Sequence, residues 1–220
     1  MDMPRALGCR CLALAALWAM ILIGSSPSRP LAMEGETALA RYHAVSPTDD
    51  SYSTFRVRVS PVDLQLPVFS AHLHLIGSGE YCEERGVLER ASAGGGFTVG
   101  LLEYFHLGAR IVATHYELDL THETSRNRAA RLGEGWTPEG EASFEFRLSL
   151  PDLAKKPLAL FGSDTYTFNL RDARGVMNRV EGGIEFSPFS WGRLAIGWRH
   201  EDVIKGPDAD QFLMSCGVKF

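Results

Sequence analysis

After residue 32 the chain has no apolar run long enough to cross a bilayer as a helix, so a bundle of membrane helices is excluded. Cysteine is scarce, four in 220 residues, and neither a C-x-x-C motif nor a Cys/His ligand spacing occurs. No metal site and no cofactor is expected. Basic clusters are lacking too, which removes the usual means of tracking a phosphate backbone, and nucleic acid is not an expected partner. A mean hydropathy of -0.06 is that of a soluble protein. It does not exclude a membrane barrel, whose lipid-facing and lumen-facing residues alternate and average out.

What is present begins with an export signal. Arg5 and Arg10 precede an apolar run, Cys11 to Ile23, and a small, Pro-containing stretch follows from Gly24 to Ala32. The run is shorter than the ~20 residues of a spanning helix. Residues 1–32 are therefore expected to be a signal peptide cut after Ala32, with a retained N-terminal anchor as the alternative. Removing Asp2, Arg5, Arg10 and Arg29 would take the formal net charge from -5 to -7. Cys9 and Cys11 would leave as well. Export permits a disulfide between Cys82 and Cys216, but the first is expected in a polar loop and the second inside a strand, so none is expected.

Residues 33–220 carry period-2 alternation broken by Gly, Pro and charged stretches. In the last ten residues Phe212, Met214, Cys216, Val218 and Phe220 share one face, opposite Gln211, Leu213, Ser215, Gly217 and Lys219. Stretches 54–60, 142–150, 179–187 and 194–201 alternate as clearly. Residues 68–76 place Leu73 and Leu75 opposite His72 and His74. Residues 97–104 read as a further strand. In 108–120, Val112, Tyr116, Leu118 and Leu120 are expected on the apolar face against His115, Glu117 and Asp119. Asp164 falls on the apolar face of 158–170, and a β-bulge at Gly162–Ser163 is expected to correct it. Residues 38–45 form the weakest strand. Ten strands result, or eight if the first two are spurious.

Short connections at 60–67, 104–107, 151–157 and 188–193 alternate with longer ones at 46–53, 77–95, 121–140, 171–178 and 203–210. This is the arrangement of an all-β, closed antiparallel transmembrane β-barrel with one domain over 33–220. A soluble periplasmic β-domain alternates too. The barrel is favoured because the polar faces mix both charges with small residues. Aromatics also gather by the short turns: Tyr104, Phe105, Phe186, Phe189, Trp191 and Phe220.

The terminal strand, with Phe212, Met214, Val218 and Phe220 on one face, resembles the assembly signal of small bacterial outer-membrane β-barrel proteins. The run from Glu181 to Arg199 is similar to a strand–turn–strand of that class. The resemblance implies an outer-membrane location, contact with outer-membrane lipid and lipopolysaccharide, and insertion by the barrel-assembly machinery through edge pairing.

The expected lumen carries Arg56, Arg58, Arg147 and Arg199 with Glu117, Asp119, Glu145, Glu181, Glu185 and Glu201. One reading is an ion-pair network that fills a narrow barrel, with Glu181 facing Arg199. The other is a charged pore lining. Adhesive and structural roles are both compatible with either. A lipid A-modifying hydrolase is the enzymatic alternative, since some small outer-membrane barrels carry a His-x-Ser pair on the last hairpin. This chain reads His200-Glu201-Asp202, and a carboxylate cannot do the serine's acyl transfer. No catalytic residue is assigned.

Overall fold

The computed structural model describes residues 34–45, 50–66, 68–84, 86–101, 104–116, 136–150, 157–204 and 208–220. Ten antiparallel strands close into one barrel: β1 (Glu34–Ala44), β2 (Tyr52–Leu66), β3 (Phe69–Cys82), β4 (Val87–Leu101), β5 (Phe105–Tyr116), β6 (Trp136–Leu150), β7 (Leu158–Asn169), β8 (Gly175–Phe189), β9 (Gly192–Val203) and β10 (Ala209–Lys219). Each strand pairs with its sequence neighbours, and β1 pairs with β10 to close the ring. A closed ring leaves no unpaired strand edge. Residues 38–45, the weakest stretch in the sequence, thus lie in the strand that completes the closure.

The connections define two ends. Those at 67–68, 102–104, 151–157 and 190–191 lie at the end where β1 starts, here the base; the others lie at the opposite end, the rim. At the base Gly35 and Phe220 exchange both backbone hydrogen bonds, at 2.9 and 3.0 Å. The Phe220 ring covers Gly35, where a Cβ would collide with it. The same pairing of a glycine with a cross-strand ring recurs at Gly79–Phe55, Gly140–Phe168 and Gly162–Phe146. The ring shields a backbone that lacks a side chain of its own.

Several expectations are corrected. Stretch 77–95 is not a long loop: β3 and β4 run on to a turn at 83–86, closed by Gly86 at φ 71 and its N–H bond to Cys82 O. Cys82 is consequently a buried strand residue, and neither it nor Cys216 is in a disulfide. Residues 60–66 are strand, with the irregularity between Val59 and Val62. In β5 the parity is reversed: Val112 and Tyr116 point inward, and Ile111, 63 % exposed, points outward. Register decides this, because Val112 pairs with Gly94 and Tyr116 with Arg90, both on the inner face. No bulge occurs at Gly162–Ser163; β7 runs regularly against β6, and Asp164 stays outward and exposed between Phe144 and Val180. The register shift lies instead between Thr167 and Phe168, on the side of β8. Gly162 is explained by the Phe146 ring above it.

Apart from Asp164, the outer face is largely apolar over the base and middle. Leu75, Phe97, Leu107, Phe144, Ile184, Ile196 and Met214 all point outward and are exposed. Phe189 and Trp191 stack with centroids 5.0 Å apart at the β8–β9 turn. Towards the rim the outward side chains turn polar, with His43, Ser53, His115, Asn178, His200 and Asp202.

Candidate functional site: the barrel interior

Strand pairing fixes which side chains share the interior, because directly paired residues point to the same face. Inside, the charges concentrate at mid-height. Glu181 and Arg199 are direct partners across β8 and β9, and Arg199 Nε donates to Glu181 Oε1 at 2.7 Å. Arg199 is 1 % exposed. Its guanidinium lies 3.2 Å from the Tyr42 ring centroid, and its Nη1 is 3.9 Å from Glu80. Arg179 donates from Nε and Nη2 to Glu201 Oε2, at 3.1 and 3.0 Å.

A second group is built from β4, β5 and β6. Arg90 Nη2 donates to Glu139 Oε2 at 3.0 Å, Thr114 donates to the same oxygen at 2.6 Å, and the Tyr116 hydroxyl donates to Oε1. Glu139 is fully enclosed. Arg110 binds Glu141, which also lies 3.7 Å from Arg90. Nearer the base Arg147 binds Glu185, and Arg193 binds Glu36 and reaches Glu185 at 3.7 Å. Such pairs satisfy charges that would be costly if enclosed alone.

Two apolar clusters stand inside the rim half. Tyr116, Val176, Met177 and Val203 form one; Tyr42, Tyr52, Cys82 and Leu213 form the other. Outside the spanning strands, Glu83 in the β3–β4 turn takes hydrogen bonds from Arg41 at 2.5 Å and Ser53 at 2.7 Å. Burial raises its pKa, but those two bonds and the Arg41 charge more than offset it and hold the carboxyl below its ordinary value.

Of the residues singled out in the sequence, the structure brings together Glu181 with Arg199 and Arg147 with Glu185, and gives Glu201 a partner in Arg179. Arg56, Arg58 and Glu145 face inward without an ion pair within 4 Å among the described residues. Glu117 and Asp119 lie outside the described residues. Phe212, Met214 and Val218 point outward on β10, and Phe220 just beyond its end lays its ring over Gly35. Sequence reasoning missed Glu36, Glu80, Arg90, Arg110, Glu139, Glu141, Arg179 and Arg193. The spacing of Thr137, Glu139, Glu141, Ser143, Glu145 and Arg147 carried a period-2 signal that would have found two of them.

His200 faces outward, its Nδ1 3.0 Å from Asp210 Oδ1, which also accepts from Trp198 Nε1 at 3.2 Å. His74 is buried in the interior. Among the described residues, one group, Asp50, Cys82 and Glu89, brings three metal-ligating atoms within 4.8 Å of one another. All three have other interactions.

No protein-family model matches the chain, and no curated protein matches it. Solved structures similar to it include the beta domain of the Bordetella autotransporter BrkA, at 10% identity and a TM-score of 0.41 over 86% of this chain and 98% of that one. An outer membrane channel from Pseudomonas putida F1 is similar at 9% identity and a TM-score of 0.38, over 89% of this chain and 97% of that one. Likenesses at this level say nothing of activity, and the fold itself stands on the pairing of its own ten strands.

Proposed function

We propose that this chain is an integral outer-membrane β-barrel protein with a structural role, its interior closed by paired charges. The observation that carries the reading is the inversion of polarity across the barrel wall. Large apolar side chains such as Leu75 and Ile111 are 60% and 63% exposed on the outside, while Arg199 and Glu139 are 1% and 0% exposed inside. In water, a belt of exposed apolar side chains around the wall would be an aggregation liability. In lipid it is the required solvent-facing surface, because a closed barrel leaves no backbone group unpaired there. The polar outward residues near the rim would then meet headgroups and lipopolysaccharide. The exposed apolar face of β10 up to Phe220 is what the barrel-assembly machinery would engage.

A structural rather than conducting role is supported by the ion pairs at mid-height and the two apolar clusters above them. The test is made on the exported protein. It should fractionate with outer membranes and migrate faster on a denaturing gel before heating than after. In planar bilayers it should be nearly silent. Recovery in the soluble periplasmic fraction would sink the membrane reading, and large steady conductance would replace the closed barrel with a pore.

A further inference from the structure

Four of the five arginines that line a partly open space at mid-height have carboxylate partners; the fifth has none among the described residues. This cavity of about 50 Å³ is walled by Arg56, Arg90, Arg110, Arg179 and Arg199 and by only two carboxylates, Glu80 and Glu141. Arg90 binds Glu139, Arg110 binds Glu141, Arg179 binds Glu201 and Arg199 binds Glu181. Three of those carboxylates, Glu139, Glu181 and Glu201, stand outside the cavity wall. Glu80 leans on Arg199 at 3.9 Å. Arg56 has no carboxylate within ion-pair distance among the described residues. Of the guanidinium nitrogens on that wall, Arg90 Nε and Arg199 Nη1 are enclosed with no hydrogen-bond partner among the described residues. Positive charge and open donors thus converge on one small space.

We propose that this cavity binds a single small monovalent anion of halide size, held by the Arg56 guanidinium and the charge of Arg110, Arg179 and Arg199. The volume admits a few water-sized molecules, and a halide is little larger than water. An anion there would give Arg56, half-buried and without an ion pair among the described residues, a direct partner of opposite charge. Nothing in this depends on what solvent meets the outer wall.

The barrel, purified in detergent, is exchanged into gluconate, an anion too large for the cavity, and titrated with chloride or bromide at constant ionic strength. Melting is read by tryptophan fluorescence, and binding by excess ³⁵Cl line broadening. The expected result is a Tm that rises with halide and saturates, as binding to the folded state alone requires, with line broadening that bromide displaces. Arg56→Gln should lose both effects. In gluconate its Tm should equal or exceed that of the unmodified protein, since the uncompensated charge is gone. A purely structural Arg56 would instead lower Tm in both salts, and that result would overturn the proposal. Should Arg56→Gln fail to fold, the titration of the unmodified protein decides. Equal melting in chloride and gluconate, without line broadening, rejects the site.

Discussion

Two arginines in this protein make similar ion pairs and should respond very differently to loss of the partner. Arg199 is enclosed with Glu181, whereas the Arg41 side chain at the rim is 54% exposed beside Glu83. Removing one member of an enclosed pair strands the other, at about 3–5 kcal/mol. Arg199 keeps the Tyr42 ring and the more distant Glu80, so Glu181→Ala should fall near the lower end of that range. Glu83→Ala should cost about 1 kcal/mol or less, because water already solvates both groups. Equilibrium urea unfolding of the detergent-folded protein measures both. The double change Glu181→Arg with Arg199→Glu should recover part of the loss. Since the Glu83 pKa is depressed on folding, its small contribution is present at neutral pH. It disappears as pH falls through the folded value, and Glu83→Gln should flatten that acid limb. Equal costs for Glu181→Ala and Glu83→Ala would mean that water reaches the interior freely.

At the scale of the strand, the decisive variable is parity. Ile196 is 54% exposed outside and Ala195 faces inward opposite Glu185 and Ser215. With the outer wall in lipid, Ile196→Arg should cost roughly 2–4 kcal/mol if it sits near the midplane. A lipid-soluble label should reach a cysteine placed at 196 and miss one at 195; the opposite pattern would require a register slipped by one residue. Parity was legible in β2, β8, β9 and β10 because each has one clearly apolar face. It failed in β5, where Ile111 and Val112 are adjacent and the interior accepts apolar side chains as well as charges. The tracts 77–95 and 121–140 read as loops for a related reason. In the described strand residues of these tracts Ser78, Glu80, Arg90, Ser92 and Glu139 line the interior while Gly77, Gly79 and Gly95 face outward, so neither face of the strand is uniformly apolar. The expected loops therefore hid much of the site, Glu80, Arg90 and Glu139 among it. Only tertiary pairing could bring Arg90 to Glu139, residues 49 apart in sequence.

At the scale of the whole molecule, nine of the ten pairings join consecutive strands, and one joins the first strand to the last. Local pairings close small loops and form cheaply, while β1–β10 must bring together residues separated by almost the entire length. Its register is nonetheless continuous from Glu36↔Lys219 to Ala44↔Gln211. Around the ring no strand is geometrically first: Phe220 lies beside Gly35 much as Phe189 lies opposite Gly192. The position of the chain break is thus a property of the gene order and not of the ring. A circularly permuted chain, with a short linker from Phe220 to Glu34 and new termini opened in the 117–135 connection, should refold in detergent to the same heat-sensitive compact form. Opening the chain within β4 instead should abolish that form, because it cuts through two ladders at once. If the first permutant fails while the linker alone is tolerated, the order in which the strands are made matters to the fold as well as their pairing.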